Sequence, residues 1–111
     1  MLELSPKKIF DNYKRKEVNK DFAEQQLISI IENSDNVSIR LESLKFLGKI
    51  HSKSNNVFRL LENLFISDLY EQVRISAAVL LKENYLIKAL LLVVIFFQSN
   101  QRVARKFLMI H

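Results

Sequence analysis

With 111 residues, 49% of them hydrophobic and 26% charged, the chain has the size and balance of one globular domain and is too apolar to be disordered. One glycine, one proline and no cysteine leave little turn material for an all-β fold, and they exclude disulfides, thiolate metal sites and cysteine nucleophiles. The net charge of +5 sits at the two ends: residues 1–20 hold six Lys or Arg against three acids, residues 21–84 seven against nine, and residues 85–111 four against none.

The opening Met1-Leu2-Glu3-Leu4 lacks the basic-then-apolar order of a secretory signal, so a cytoplasmic protein is expected. Ser5-Pro6 predicts a helix start, with Ser as N-cap and Pro at the first helical position, and Ile9, Phe10 and Tyr13 extend it over about residues 6–14. Lys14-Arg15-Lys16-Glu17 is a charged connector. Asn19 or Asp21 can cap a second helix whose inward face is Phe22, Ala23, Leu27, Ile30 and Ile31. The polar run Asn33-Ser34-Asp35-Asn36 should end it and open a third, facing inward with Ile39, Ser43, Leu44, Leu47 and Ile50 and ending between Gly48 and Ser52. His51 is read there as a C-terminal cap, where a cation is favoured. Ser54-Asn55-Asn56 opens a fourth helix with Val57, Leu61, Leu64 and Phe65 inward. Asp68 is expected to cap a fifth, with Val73, Ala77, Ala78 and Leu81 inward.

These segments repeat. Leu27/Leu61, Ile30/Leu64, Ile31/Phe65, Ile39/Val73, Arg40/Arg74, Ser43/Ala77, Leu44/Ala78 and Leu47/Leu81 match at an offset of 34. A fixed period of this length marks stacked helical hairpins. A third copy follows at an offset of 31, pairing Leu61/Leu92, Leu64/Ile95, Phe65/Phe96, Val73/Ala104, Arg74/Arg105 and Ala77/Leu108. The counterpart of Leu81 would lie beyond His111, so the third hairpin is expected to be partial. The predicted fold is all-α: one domain over residues 1–111, with a capping helix and basic connector in 1–19 and an α-solenoid of antiparallel hairpins in 20–111.

The pattern Asp68-x4-Val73-Arg74-x2-Ala77-Ala78-x2-Leu81 resembles the second helix of a HEAT repeat, and residues 20–111 resemble two and a half such repeats. The resemblance implies a right-handed solenoid in which the turn Asp68 and the Arg74 six residues later bond between neighbouring repeats. Arg40 and Arg105 hold the matching places, with Ser34 and Ser99 where the Asp would be. The frequent proline of the first HEAT helix is absent. Such repeats scaffold many activities, so the resemblance implies interaction rather than any particular chemistry.

Three constellations carry the functional reading. Arg40, Arg74 and Arg105 fall once per copy and are read as structural ties; the competing role is a guanidinium row clamping phosphate or carboxylate. Lys14, Arg15 and Lys16, together with Arg102, Arg105 and Lys106, are candidate phosphate contacts for a nucleic-acid-binding alternative, with Phe10 and Tyr13 available to stack. The run from Ala89 to Phe97 is unbroken apolar, well short of the ~20 residues that span a bilayer. A helix apolar all round must be covered all round. Leu91, Ile95, Phe96 and Phe97 are therefore candidate contacts for another protein or a second copy, while a membrane role is disfavoured. No catalytic residue, metal set or cofactor motif is assigned: His51 and His111 lack partners at ligand spacing, and one glycine makes no phosphate loop. The reading is a non-catalytic protein-interaction scaffold.

Overall fold

The computed structural model describes residues 4–99, without the side chains of Leu92, Val93, Phe96, Phe97 and Ser99. Those residues form six helices and, as described, no strand: α1 (Pro6–Lys14), α2 (Lys20–Asn33), α3 (Val37–Ile50), α4 (Asn55–Ser67), α5 (Glu71–Asn84) and α6 (Leu86–Ser99). The chain divides into two compact units, Met1–Val57 and Phe58–His111.

In the first unit local chemistry sets every helix start. Ser5 accepts the Lys8 N–H at 3.1 Å, with Pro6 at the first position of α1. Asn19 accepts from Phe22 N at 2.8 Å, and Asn36 accepts from Ile39 N at 3.1 Å. Ser54 accepts from Val57 N at 3.2 Å at the start of α4. Each bond satisfies one of the backbone donors that a helix leaves unpaired at its N-terminus. Two left-handed residues stop helices: Lys16 (φ 63°) follows α1, and His51 (φ 56°, ψ 50°) caps α3 as its sequence position suggests. Helix α1 packs on both α2 and α3, which pack on each other. Ile9, Ala23, Leu27, Ile31, Leu44, Phe46, Leu47 and Ile50 are buried.

Three expected core positions differ, Ile30 of α2 being half-buried rather than buried. Phe22 is 49% exposed, because burial on α2 runs through Ala23, Leu27 and Ile31 and turns towards Glu24, roughly 100° per residue away from Phe22. Ile39 is 38% exposed and lines the rim of an open groove with Pro6, Ile9 and Ile30.

The second unit buries Leu60, Leu61, Leu64, Phe65, Val73, Ala77, Ala78, Leu81, Tyr85 and Ala89, and α6 packs on α5. The cap of α5 lies two residues later than the sequence suggests. Tyr70 is the N-cap and makes no side-chain bond to the helix. Asp68 instead accepts the Tyr70 N–H through Oδ2 at 3.1 Å, an Asx turn that leads the chain into α5 without capping it. The matched position 34 residues earlier does the same: Ser34 Oγ accepts the Asn36 N–H at 3.1 Å.

Candidate interaction surfaces

The two turn arginines act on backbone. Arg40 Nε donates to the Ile31 carbonyl at 2.7 Å, in the last turn of α2. Arg74 Nη1 donates to the Asp68 carbonyl, just past the end of α4. Each guanidinium satisfies a carbonyl at or just past the end of the preceding helix, and each of these two bonds lies inside its own helix–turn–helix segment. In the described bonds Arg74 meets the carbonyl of Asp68, not its carboxylate. Arg105, the third member, lies outside the described residues, as do Arg102, Lys106 and the rest of the third copy's second helix.

The basic stretch after α1 is partly engaged. Arg15 bonds Glu17 at 3.1 Å and Asn12 at 2.9 Å, and Lys16 is fixed in the left-handed turn. Lys14 has a different setting. Phe10 of α1 stacks on Phe46 of α3 with centroids 5.0 Å apart. Around that pair stand Lys14 (6.0 Å from the Phe10 centroid), Lys45 (5.1 Å from Phe46) and Lys49 (5.9 Å from Phe10 and 5.5 Å from Phe46). Three ammonium groups thus gather over two rings, at distances where the ring quadrupole attracts a cation. Phe46 is 7% exposed and stacks on the half-buried Phe10, so the ring pair is engaged with itself and with the lysines rather than displayed for base stacking. Sequence reading missed Lys45 and Lys49; their i, i+4 spacing on either side of Phe46 shows one basic face, but α1 above it is a tertiary fact.

On α6 the described apolar side chains fall into two sets. Ala89 is fully buried and Tyr85, preceding the helix, is 6% exposed. Leu86, Ile87, Leu90, Leu91, Val94 and Ile95 are between 50% and 77% exposed. At about 100° per residue these six span half of the helix circumference. Lys88 stands at the edge, its ammonium 5.1 Å from the Phe58 centroid. Of the predicted contacts, Leu91 and Ile95 are on this face; the side chains of Phe96 and Phe97 lie outside the described residues. Leu86, Ile87, Leu90 and Val94 join it. The first two precede the unbroken run and are separated from it by Lys88, which is why they escape a search for continuous apolarity.

Among the described residues, two buried side-chain atoms have no hydrogen-bond partner within the protein: Glu24 Oε2 on α2 and Ser43 Oγ on α3. Among the described residues no three His, Cys, Asp or Glu gather as metal ligands, and no helix is long and apolar enough to cross a membrane. The groove beside α1, about 890 Å³, has Glu42 as its one ionisable side chain among the described residues. Comparison of the chain with models of protein families, with curated proteins and with solved structures finds no match.

Proposed function

We propose that this chain is a non-catalytic protein-interaction module built from HEAT-like helical hairpins, with the outer face of α6 as its contact surface. The observation that carries this reading is the exposed apolar half of α6. A contiguous apolar patch of more than a few hundred Å² on a folded protein marks a place where something binds. The hairpin architecture is supported by turn chemistry that recurs at the 34-residue offset. Ser34 and Asp68 each accept the N–H two residues on, and Arg40 and Arg74 each satisfy a carbonyl of the preceding helix end. A cysteine-free chain suits the reducing cytoplasm, where we place it.

The test is a double substitution, Leu91→Glu with Ile95→Glu. A contact surface tolerates both charges: helical circular dichroism and cooperative melting persist. Loss of cooperative folding would make the face ordinary core and end the interaction reading.

The convergence of Lys14, Lys45 and Lys49 favours a second reading, a phosphate-contacting module for nucleic acid. It predicts single-stranded RNA binding at low salt with log K falling by about 0.7 per log salt for each phosphate contacted. The interaction module predicts no saturable binding in that titration.

A further inference from the structure

We infer that the occupant of the α6 face is the α6 face of a second copy of this chain, forming a two-fold symmetric dimer. This rests on the interaction reading of α6 and adds the identity of the partner. Area is the first ground. Taking about 200 Å² for a fully exposed large aliphatic residue, Leu86, Ile87, Leu90, Leu91 and Val94 leave on the order of 600 Å² of mostly apolar surface per copy in water. Two such faces, if buried completely, would give about 1,200 Å², the lower bound of interfaces that hold stable complexes. Ile95, 61% exposed, continues the same arc.

Self-complementarity is the second ground. A two-fold interface brings the same patch against itself, so any net charge in it meets its own image. The five residues carry none. Among the described residues the cation of this helix, Lys88, is at the edge with its ammonium over the Phe58 ring. A face without charge neither repels its copy nor selects a partner by electrostatic complementarity, so a second copy needs no further feature to fit.

Helix geometry is the third ground. Ile87, Leu90 and Val94 recur at spacings of three and four, the seam along which two helices pack, with Leu86 and Leu91 flanking it. Leu90 and Leu91 lie at mid-length along that seam, so in an antiparallel pair they approach their own counterparts. A lipid surface fits less well. A helix lying on a membrane turns a strongly basic face to the headgroups, whereas the side opposite these residues buries Ala89 in the protein.

The 111-residue chain, which has no cysteine, tests this directly. Light scattering should give twice the 13.1 kDa chain mass, falling towards the monomer on dilution. A Leu91→Cys variant should form a disulfide-linked dimer under mild oxidation, whereas Ser38→Cys, exposed on α3, should not. Ile87→Glu with Leu91→Glu should give a folded monomer. A wild-type chain that stays monomeric across concentration, with no cross-link at Leu91→Cys, overturns the dimer and leaves the interaction reading standing. Binding of that monomer to phosphatidylcholine–phosphatidylserine vesicles would replace the second copy with a lipid surface. Failure of the double-glutamate variant to fold, where the Leu91→Cys chain remains monomeric, removes both inferences together.

Discussion

The segments α2–α3 and α4–α5 are written on one pattern and finished differently. Both carry an apolar–Arg pair after a three-residue turn, and both turns hold an i to i+2 side-chain bond. The first is closed with side-chain caps and covered by α1. The second has no side-chain cap at its turn, and it leaves Ile66, Leu69, Tyr70 and Ile75 exposed around that turn, Leu69 at 90%. The helix that follows it, α6, presents half its circumference as apolar surface. Cores that agree at Leu27/Leu61, Ile31/Phe65, Leu44/Ala78 and Leu47/Leu81 but not at Ile39/Val73, with unequal finishing, teach that the repeat specifies most of the burial, whereas termination and cover are set by residues outside the repeated positions.

The agreement of the two cores at their most buried positions is the claim with the largest expected effect. Leu47 and Leu81 are matched at the offset of 34, and they are 1% and 0% exposed. Leu47→Ala and Leu81→Ala should each cost about 3 kcal/mol, the lost transfer free energy plus the cavity left behind, read as a shift in urea midpoint at constant slope. A cost below about 1 kcal/mol at Leu81 alone would mean that the second segment collapses around the cavity, and the matched cores would no longer be equivalent.

One matched pair is unequal in chemistry. Ser43 and Ala77 share a register and are both fully buried, but Ser43 Oγ has no hydrogen-bond partner. A buried hydroxyl that has lost water and gained nothing destabilises, and removing it removes the penalty. Ser43→Ala should stabilise by about 1 kcal/mol, and Ala77→Ser should destabilise by a similar amount. Thermal melts of the two single variants and the exchange double variant check both signs. A destabilised Ser43→Ala would indicate a bond to ordered water at Oγ.

The caps give the next contrast. Asn36 bonds the first turn of α3, whereas the matched Tyr70 makes no such bond to α5. Tyr70→Asn should therefore stabilise by about 1 kcal/mol, and Asn36→Ala should destabilise by about the same. Urea unfolding of each variant measures them. No gain at Tyr70→Asn would mean that the half-exposed Tyr ring contributes as much in place as the missing bond would.

What was legible in the sequence follows the same division. Ser5, Asn19, Asn36 and Ser54 mark helix starts because a cap is a bond within three residues, readable without knowing what the helix packs on. The Tyr70 cap was not readable, since it rests on backbone conformation alone and Asp68 offered a better side chain two residues too early. Periodicity found Leu27, Leu61, Val73 and Leu81, but not the rotation of α2 that exposes Phe22 and buries Glu24. Rotation depends on the neighbours. The apolar run announced α6 as a surface in need of cover, and Leu91 was identified within it. Which half faces inward was settled by Ala89 and Tyr85, residues too ordinary in sequence to stand out. Lys45 and Lys49 were invisible as partners of Lys14 because the shared element is a stacked ring pair formed between α1 and α3.

The smallest effect concerns the helix ends. His51 caps α3 at φ 56° and ψ 50°, a conformation that a side chain with a Cβ adopts at a steric cost, whereas the matched Tyr85 ends α5 at φ −135°. Its exposed imidazole is not needed for the long-range bond at this point, because Lys20 Nζ donates to the His51 backbone carbonyl at 3.3 Å. His51→Gly keeps that carbonyl and relieves the Cβ contact, while adding some freedom to the unfolded chain. The net expectation is a gain of about 0.5 kcal/mol, a small rise in melting temperature. At Tyr85 the same exchange must have the opposite sign, since no left-handed strain is relieved there and a buried ring packed 5.4 Å from Phe58 is lost. Two matched positions that respond to glycine in opposite directions would confirm that the repeated pattern ends before its caps. A loss at both would show the imidazole to be bound in place, and the first segment's finish to depend on its side chain as well as on its backbone.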